Sequence, residues 1–263
     1  MEKRPEISAE YFDEWYADMA RPHNETAPHD GIAPHDEITQ RHLGLPASLL
    51  STSLLSWDGI ADVVEALRLP AGGTLLDLAC GRGGYGLEIA ARTGARLIGV
   101  DYSAEAIRQA TANPKASGTS ARFEVGDLAA TGLPSASVDG IVCVDAIGFA
   151  TDQAAAYAEL RRVLVSGGRV VLTCWEPLDR GDPRLSDGMR AVDTQQGLLD
   201  AGFIDVEVRD RPAWRASERG MWEEAAHLDP GEDPALQSFH DEAVHMLDRF
   251  DLVRRVMATG TAP

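Results

Sequence analysis

Cysteine is scarce in this chain: Cys80, Cys143 and Cys174 are the three examples in 263 residues. Their spacing matches no zinc-site pattern, and a disulfide is not expected. Basic side chains are also in short supply, with 24 lysines and arginines against 42 acids and a net charge of −18. A phosphate backbone would be repelled at long range, and no lysine–arginine stripe with interleaved aromatics offsets this. Nucleic acid is therefore not expected as a partner. No run of 18 apolar residues occurs and no charged-then-apolar leader opens the chain. The expectation is neither a membrane span nor a secretion signal, and a cytoplasmic location. Solubility accounts for the acidic surplus; attraction of a cationic substrate is the alternative.

What is present is a glycine-rich turn in an informative setting. Leu75-Leu76-Asp77-Leu78-Ala79-Cys80-Gly81-Arg82-Gly83-Gly84-Tyr85-Gly86 runs from a hydrophobic strand through a carboxylate and a turn into a helical stretch. Gly81 and Gly83 lack the Cβ atoms that would keep a ligand off the backbone. The helix start directs free N–H groups and a positive dipole end at the same place. A nucleotide cofactor is expected, and two compete. Gly81-x-Gly83-x-x-Gly86, with Asp101 further along at the expected spacing, satisfies the dinucleotide fingerprint. Asp77 argues the other way, because a carboxylate at the strand end would repel a pyrophosphate. S-adenosylmethionine carries an ammonium and a sulfonium and no phosphate, so the same carboxylate favours it.

Further strand ends follow in order. Leu97-Ile98-Gly99-Val100-Asp101-Tyr102-Ser103 reads as a buried strand ending in an acid suited to ribose hydroxyls. Arg122-Phe123-Glu124-Val125-Gly126-Asp127-Leu128 is a third, with Asp127 and the Leu128 amide suited to an adenine amino group. Residues 137–145 form a fourth strand, and residues 160–172 a helix, a glycine turn and a fifth strand. Residues 75–176 resemble the core of the class I S-adenosylmethionine-dependent methyltransferases, of the small-molecule type found as stand-alone bacterial enzymes. The family pattern Asp-x-Gly-x-Gly-x-Gly has Ala79 in place of its first glycine here. Alanine is expected to serve there on the view that the backbone needs no positive φ. By position the resemblance implies Asp77 near the methionine amino group, Ala79, Gly81 and Gly83 against the cofactor, Asp101 and Tyr102 at the ribose, and Asp127 and Leu128 at adenine. It puts the Cys143 carbonyl at the methionine ammonium.

The implied fold is α/β: a Rossmann-like, seven-stranded, mostly parallel sheet with helices on both faces. Residues 1–55 form an expected helical cap, and residues 56–263 the cofactor-binding domain. Ser8 begins a helix carrying Tyr11, Phe12, Trp15 and Tyr16. Its aromatic face either closes over cofactor and substrate or packs on the core. A tandem repeat, Ala27-Pro28-His29-Asp30-Gly31-Ile32 and Ala33-Pro34-His35-Asp36-Glu37-Ile38, offers two His-Asp pairs. A lengthened surface loop is the preferred reading, so no metal is expected. A helix over Trp57 to Leu67 enters the core, and residues 212–250 form a helical insert before a last antiparallel strand. That insert either roofs the substrate pocket or makes a homodimer contact.

The expected function is methyl transfer to an oxygen, nitrogen or carbon nucleophile of a small molecule, a secondary metabolite by resemblance, releasing S-adenosylhomocysteine. General-base candidates are His35, His227, His240 and Asp145. Tyr16, Trp57 and Trp175 are the expected substrate contacts. The rivals are a same-fold enzyme performing a non-methylating step such as cyclisation, an NAD-dependent oxidoreductase, and a non-catalytic partner subunit.

Overall fold

The first sheet strand, β1 (Thr74–Leu78), is buried along its whole length. An apolar strand buried on both faces belongs inside a parallel sheet covered by helices. The computed structural model describes residues 8–19, 34–231 and 233–263 and shows that arrangement. β1 is flanked by β2 (Arg96–Asp101) and β4 (Val138–Val144), with β3 (Ala121–Val125) beyond β2 and β5 (Leu164–Pro177) beyond β4, all parallel. β7 (Val253–Thr261) inserts antiparallel between β5 and β6 (Ile204–Asp210), giving the order β3-β2-β1-β4-β5-β7-β6. The strand order reverses between β1 and β4, and ligands of open α/β sheets bind at the carboxyl ends of strands at such a point.

α3 (Trp57–Leu67) starts where expected, because the Ser56 hydroxyl accepts from the Gly59 amide at 3.1 Å. With α4 (Gly84–Thr93) it covers one sheet face, through a core that includes Ile60, Val63, Ile89, Val142 and Val171. α5 (Ala104–Ala112) packs along β2 and β3, and α6 (Gln153–Val163) and α8 (Thr194–Asp200) cover the other face with Tyr157, Leu160 and Leu198. A short α7 (Asp187–Ala191) precedes α8. The insert is two helices, α9 (Pro212–Ala225) and α10 (Pro234–Arg249). The N-terminal helices divide: α1 (Ala9–Met19) lies on α5, whereas α2 (Pro34–Leu43) packs on α9.

Two boundaries differ from the sequence reading. β3 ends at Val125, and Asp127 lies past it in a one-residue bridge to Ala130. β5 begins at Leu164, upstream of the glycine pair read as a turn. Gly167, at φ 79°, bends the strand without ending it, because its amide bonds the Ala262 carbonyl at 2.8 Å. The first copy of the tandem repeat lies outside the described residues; Pro34 to Ile38 of the second begin α2.

Candidate active site

The loop from β1 to α4 is built on left-handed backbone. Ala79 (φ 59°), Gly81 (φ 52°) and Gly83 (φ 79°) all have positive φ. The expectation for Ala79 is corrected: the loop does require a positive φ there, and alanine carries the strain of it. Gly83 opens α4 with no side-chain cap, which leaves the helix start to other acceptors. Asp77 takes one of its amides, with Oδ2 accepting from Gly86 at 3.0 Å. Asp101 takes two in the loop region: Oδ2 from Gly81 at 2.8 Å and Oδ1 from Ser103 at 3.0 Å. Gly84 is needed for close approach, since a Cβ there would lie 1.7 Å from the Leu49 carbonyl oxygen.

Asp77 and Asp101 are 2% and 4% exposed, and neither has an ion pair among the described residues. Burial pushes the Asp77 pKa up to about 7, with the Gly86 amide pulling it down and Asp101 adding to the rise. Burial likewise raises Asp101, opposed by the Ser103 and Gly81 amides. Burial disfavours the charged form of both carboxylates, and an arriving cation would restore it, so this wall of the loop is matched to positive charge.

A cover lies over the loop. A Cβ on Gly81 would be 2.8 Å from the Tyr16 hydroxyl and 2.9 Å from Thr52 Oγ1. Tyr16 is held there through α1, whose Asp13 carboxylate accepts from Ser103 Oγ at 2.5 Å and the Glu105 amide at 3.0 Å. Gln109 Nε2 donates to the Tyr16 carbonyl at 2.8 Å, and Phe12 sits 5.4 Å from the Tyr102 ring. Tyr102 is half-buried, and burial beside Asp101 pushes its hydroxyl up to about 12. The segment 51–55 closes the other side: the Tyr85 hydroxyl accepts from Ser51 Oγ at 2.8 Å and lies 2.9 Å from the Ser53 and Leu55 carbonyls. Asp13, Thr52 and Tyr85 were absent from the sequence reading. Tyr85 stood inside the glycine motif and could have been found; nothing local marks the other two.

The remaining expected residues scatter. Asp127 is exposed, with Oδ1 accepting from the Ala129 amide at 2.8 Å, and Leu128 beside it is half-buried. Cys143 is fully buried on β4, and burial raises its thiol pKa. Asp145, one residue past β4, is not a free base. Its Oδ1 accepts from the Thr173 hydroxyl at 2.7 Å and lies 2.6 Å from Arg255 Nη1, while Oδ2 accepts from the Leu54 amide at 3.2 Å. Trp175 joins that neighbourhood, its ring 5.6 Å from the Arg255 guanidinium and 5.1 Å from Phe250. Trp57 does not: its ring lies under Arg92 at 4.4 Å, in the last turn of α4 and so at the far end from the loop. The histidines are not brought together. His227 is exposed with Nδ1 at 2.6 Å from the Glu223 carbonyl, His240 faces Asp241 at 3.1 Å, and His35 faces Asp36 at 3.3 Å and the Phe239 ring at 4.5 Å. None of these partners belongs to the glycine loop. Among the described residues no group of three or more His, Cys, Asp or Glu is arranged to hold a metal ion.

Residues 75–168 match the family described as Methyltransferase domain. An S-adenosyl-L-methionine-dependent Diels-Alderase of Talaromyces variabilis is 31% identical over 170 residues, spanning 55% of this chain and 57% of that one. The 2-methyl-6-phytyl-1,4-hydroquinone methyltransferase of Synechocystis is 34% identical over 127 residues, spanning 48% of this chain and 38% of that one. The chain thus spans from about a third to just over half of the curated relatives it matches. Geranyl diphosphate C-methyltransferase of Streptomyces coelicolor, at 18% identity, superimposes with a TM-score of 0.64 over 97% of this chain and 98% of that one, a likeness of fold. Residues 75–168 are thus similar to a methyltransferase domain, and the strand order and glycine loop lie within and around that match.

Proposed function

We propose that the protein transfers a methyl group from S-adenosylmethionine to an oxygen, nitrogen or carbon nucleophile of a small molecule. The observation that carries this is the pair of buried acids, Asp77 and Asp101, set without a cation around a glycine loop. That wall suits an ammonium and a sulfonium and opposes a dinucleotide's pyrophosphate. When bound, the cofactor supplies an electrophilic methyl group. Asp101 would hold the ribose hydroxyls, and Asp127 with the Leu128 amide the adenine. Asp77 would act mainly by fixing the Gly86 amide and by its charge. The Cys143 carbonyl would meet the ammonium. Tyr16 and Thr52 would exclude water over the sulfonium, so that alignment and a dry site supply much of the rate.

The net charge of −18 supports a small molecule over nucleic acid as substrate. The cysteines are free and buried, which supports a reducing, cytoplasmic setting. No described helix is long and apolar enough to cross a membrane. The name of the Talaromyces relative supports a second reading, in which the cofactor is retained and the step is a cyclisation. Calorimetric titration with S-adenosylhomocysteine, with NAD as control, tests the cofactor. Binding of the first alone is expected; binding of NAD alone overturns the reading. Once a substrate is found, one equivalent of S-adenosylhomocysteine per product separates methylation from cyclisation.

A further inference from the structure

The polar cluster around Arg255 has more hydrogen-bonding capacity than the protein uses. Arg255 stands opposite Trp175 in the β5–β7 ladder and is 1% exposed. Its guanidinium lies 5.6 Å from the Trp175 ring and 6.0 Å from the Trp214 ring. Glu218 of α9, wholly buried, takes Nε at 2.7 Å. Asp145 Oδ1 lies 2.6 Å from Nη1 and pairs with it. Arg255 Nη2, Glu218 Oε2 and, one turn along α9, Trp222 Nε1 are buried without a hydrogen-bond partner. Nε and Oε1 bond each other, so Nη2 and Oε2 are the unused atoms of one pair. Buried polar groups are ordinarily partnered, and one left unmet loses its hydration without replacement.

That surplus defines a ligand chemistry: it must accept from a guanidinium and donate to a carboxylate oxygen. A permanent anion would meet two carboxylates against one cation. An amine cation would leave Arg255 unmet and face its charge. A carbonyl would satisfy Arg255 and leave Glu218 Oε2 idle. A hydroxyl satisfies both, and an acidic hydroxyl can pass its proton to Glu218 with the cluster's net charge unchanged.

Building on the methyl-transfer reading, we propose that Arg255 and Glu218 bind an ionisable hydroxyl of the substrate, a phenol or enol. Glu218 Oε2 takes the proton as the O–H bond breaks, and Arg255 holds the oxygen. The electron pair released on the oxygen, or on its conjugated carbon, forms the bond to the methyl group, and the S–CH3 pair returns to sulfur. Glu218 then loses the proton to solvent. Burial pushes Glu218 up to about 7 against the pull of Arg255, with Asp145 raising it and Arg215 lowering it. That range suits a base working near neutrality. The cluster borders the cofactor loop through Asp145, Tyr85 and the segment 51–55, where Thr52 meets Gly81 and the Leu54 amide meets Asp145.

The test uses protein saturated with S-adenosylhomocysteine and two probes: 4-nitrophenol, whose phenolate has its own visible band, and 4-nitroanisole, which lacks the proton. Expected are saturable binding of the phenol with a phenolate band below its free pKa, and about ten-fold weaker binding of the ether. Glu218→Gln should keep cofactor-product binding and abolish the proton uptake that accompanies phenolate binding at pH 8, read by calorimetry in two buffers, and Arg255→Lys should weaken phenol binding by about ten-fold or more. Wild-type protein that fails to bind S-adenosylhomocysteine overturns the methyl-transfer reading itself. Normal binding of that product overturns the hydroxyl site if the phenol does not bind, if the ether binds equally, or if the proton uptake survives Glu218→Gln. Should a variant fail to fold, the comparison of phenol with ether on wild-type protein still decides.

Discussion

Ala79 occupies a left-handed conformation at the turn out of β1, where the related pattern has glycine. An L side chain there costs about 1–2 kcal/mol, while glycine loosens the unfolded chain by about half of that. Ala79→Gly should therefore raise unfolding free energy by about 0.5–1 kcal/mol in denaturant titration, with S-adenosylhomocysteine affinity unchanged. Asp101→Ala removes the acceptor of the Gly81 and Ser103 amides and the proposed ribose contact. Cofactor affinity should fall by about 1.5–3 kcal/mol, the range for a hydrogen bond to a charged group, read by calorimetry. Unchanged affinity would show that the end of β2 does not hold the ribose. Asp77, Gly81 and Asp101 were legible in the sequence because the loop is local and its chemistry repeats over a few residues. Asp145 was read as a base because its partner, Arg255, arrives from the last strand and no local pattern links the two.

At the scale of elements, local signals placed helices well. The Trp57–Leu67 helix matches its expected span, since the Ser56 cap and the apolar spacing of Ile60, Val63 and Leu67 are both short-range. The start of β5 was misplaced because a glycine pair in isolation reads as a turn. Pairing with the Ala262 backbone holds it in the sheet. At Gly84 the start of α4 is pressed against the Leu49 carbonyl. Gly84→Ala should cost about 3 kcal/mol or more in denaturant unfolding. Gly167→Ala, where a Cβ meets open space at φ 79°, should cost about 1–2 kcal/mol. Equal losses would mean that the α4 start is free to shift.

Across the whole molecule, two buried acids set a pH dependence. Burial raises Asp77 from 3.8 and Glu218 from 4.5, each to about 7. The folded state therefore binds these protons more tightly than the unfolded chain. The stability they contribute is fully present below the unfolded carboxylate range and is lost as pH rises towards and through about 7. Asp77→Asn should raise the Tm at pH 8 by several degrees, with the gain shrinking towards pH 4; a pH-independent difference would assign Asp77 an ordinary pKa. By itself the sequence determined the α/β class, the glycine loop and the placing of Asp77 and Asp101 on β1 and β2, because strand burial and backbone turns follow from short-range pattern. Only the tertiary structure decided that Tyr16 and Thr52 cover the loop and that Asp145, Arg255 and Glu218 meet in the interior. Those contacts join residues far apart in the chain, and it is burial among packed elements, not sequence spacing, that gives the charges their strength.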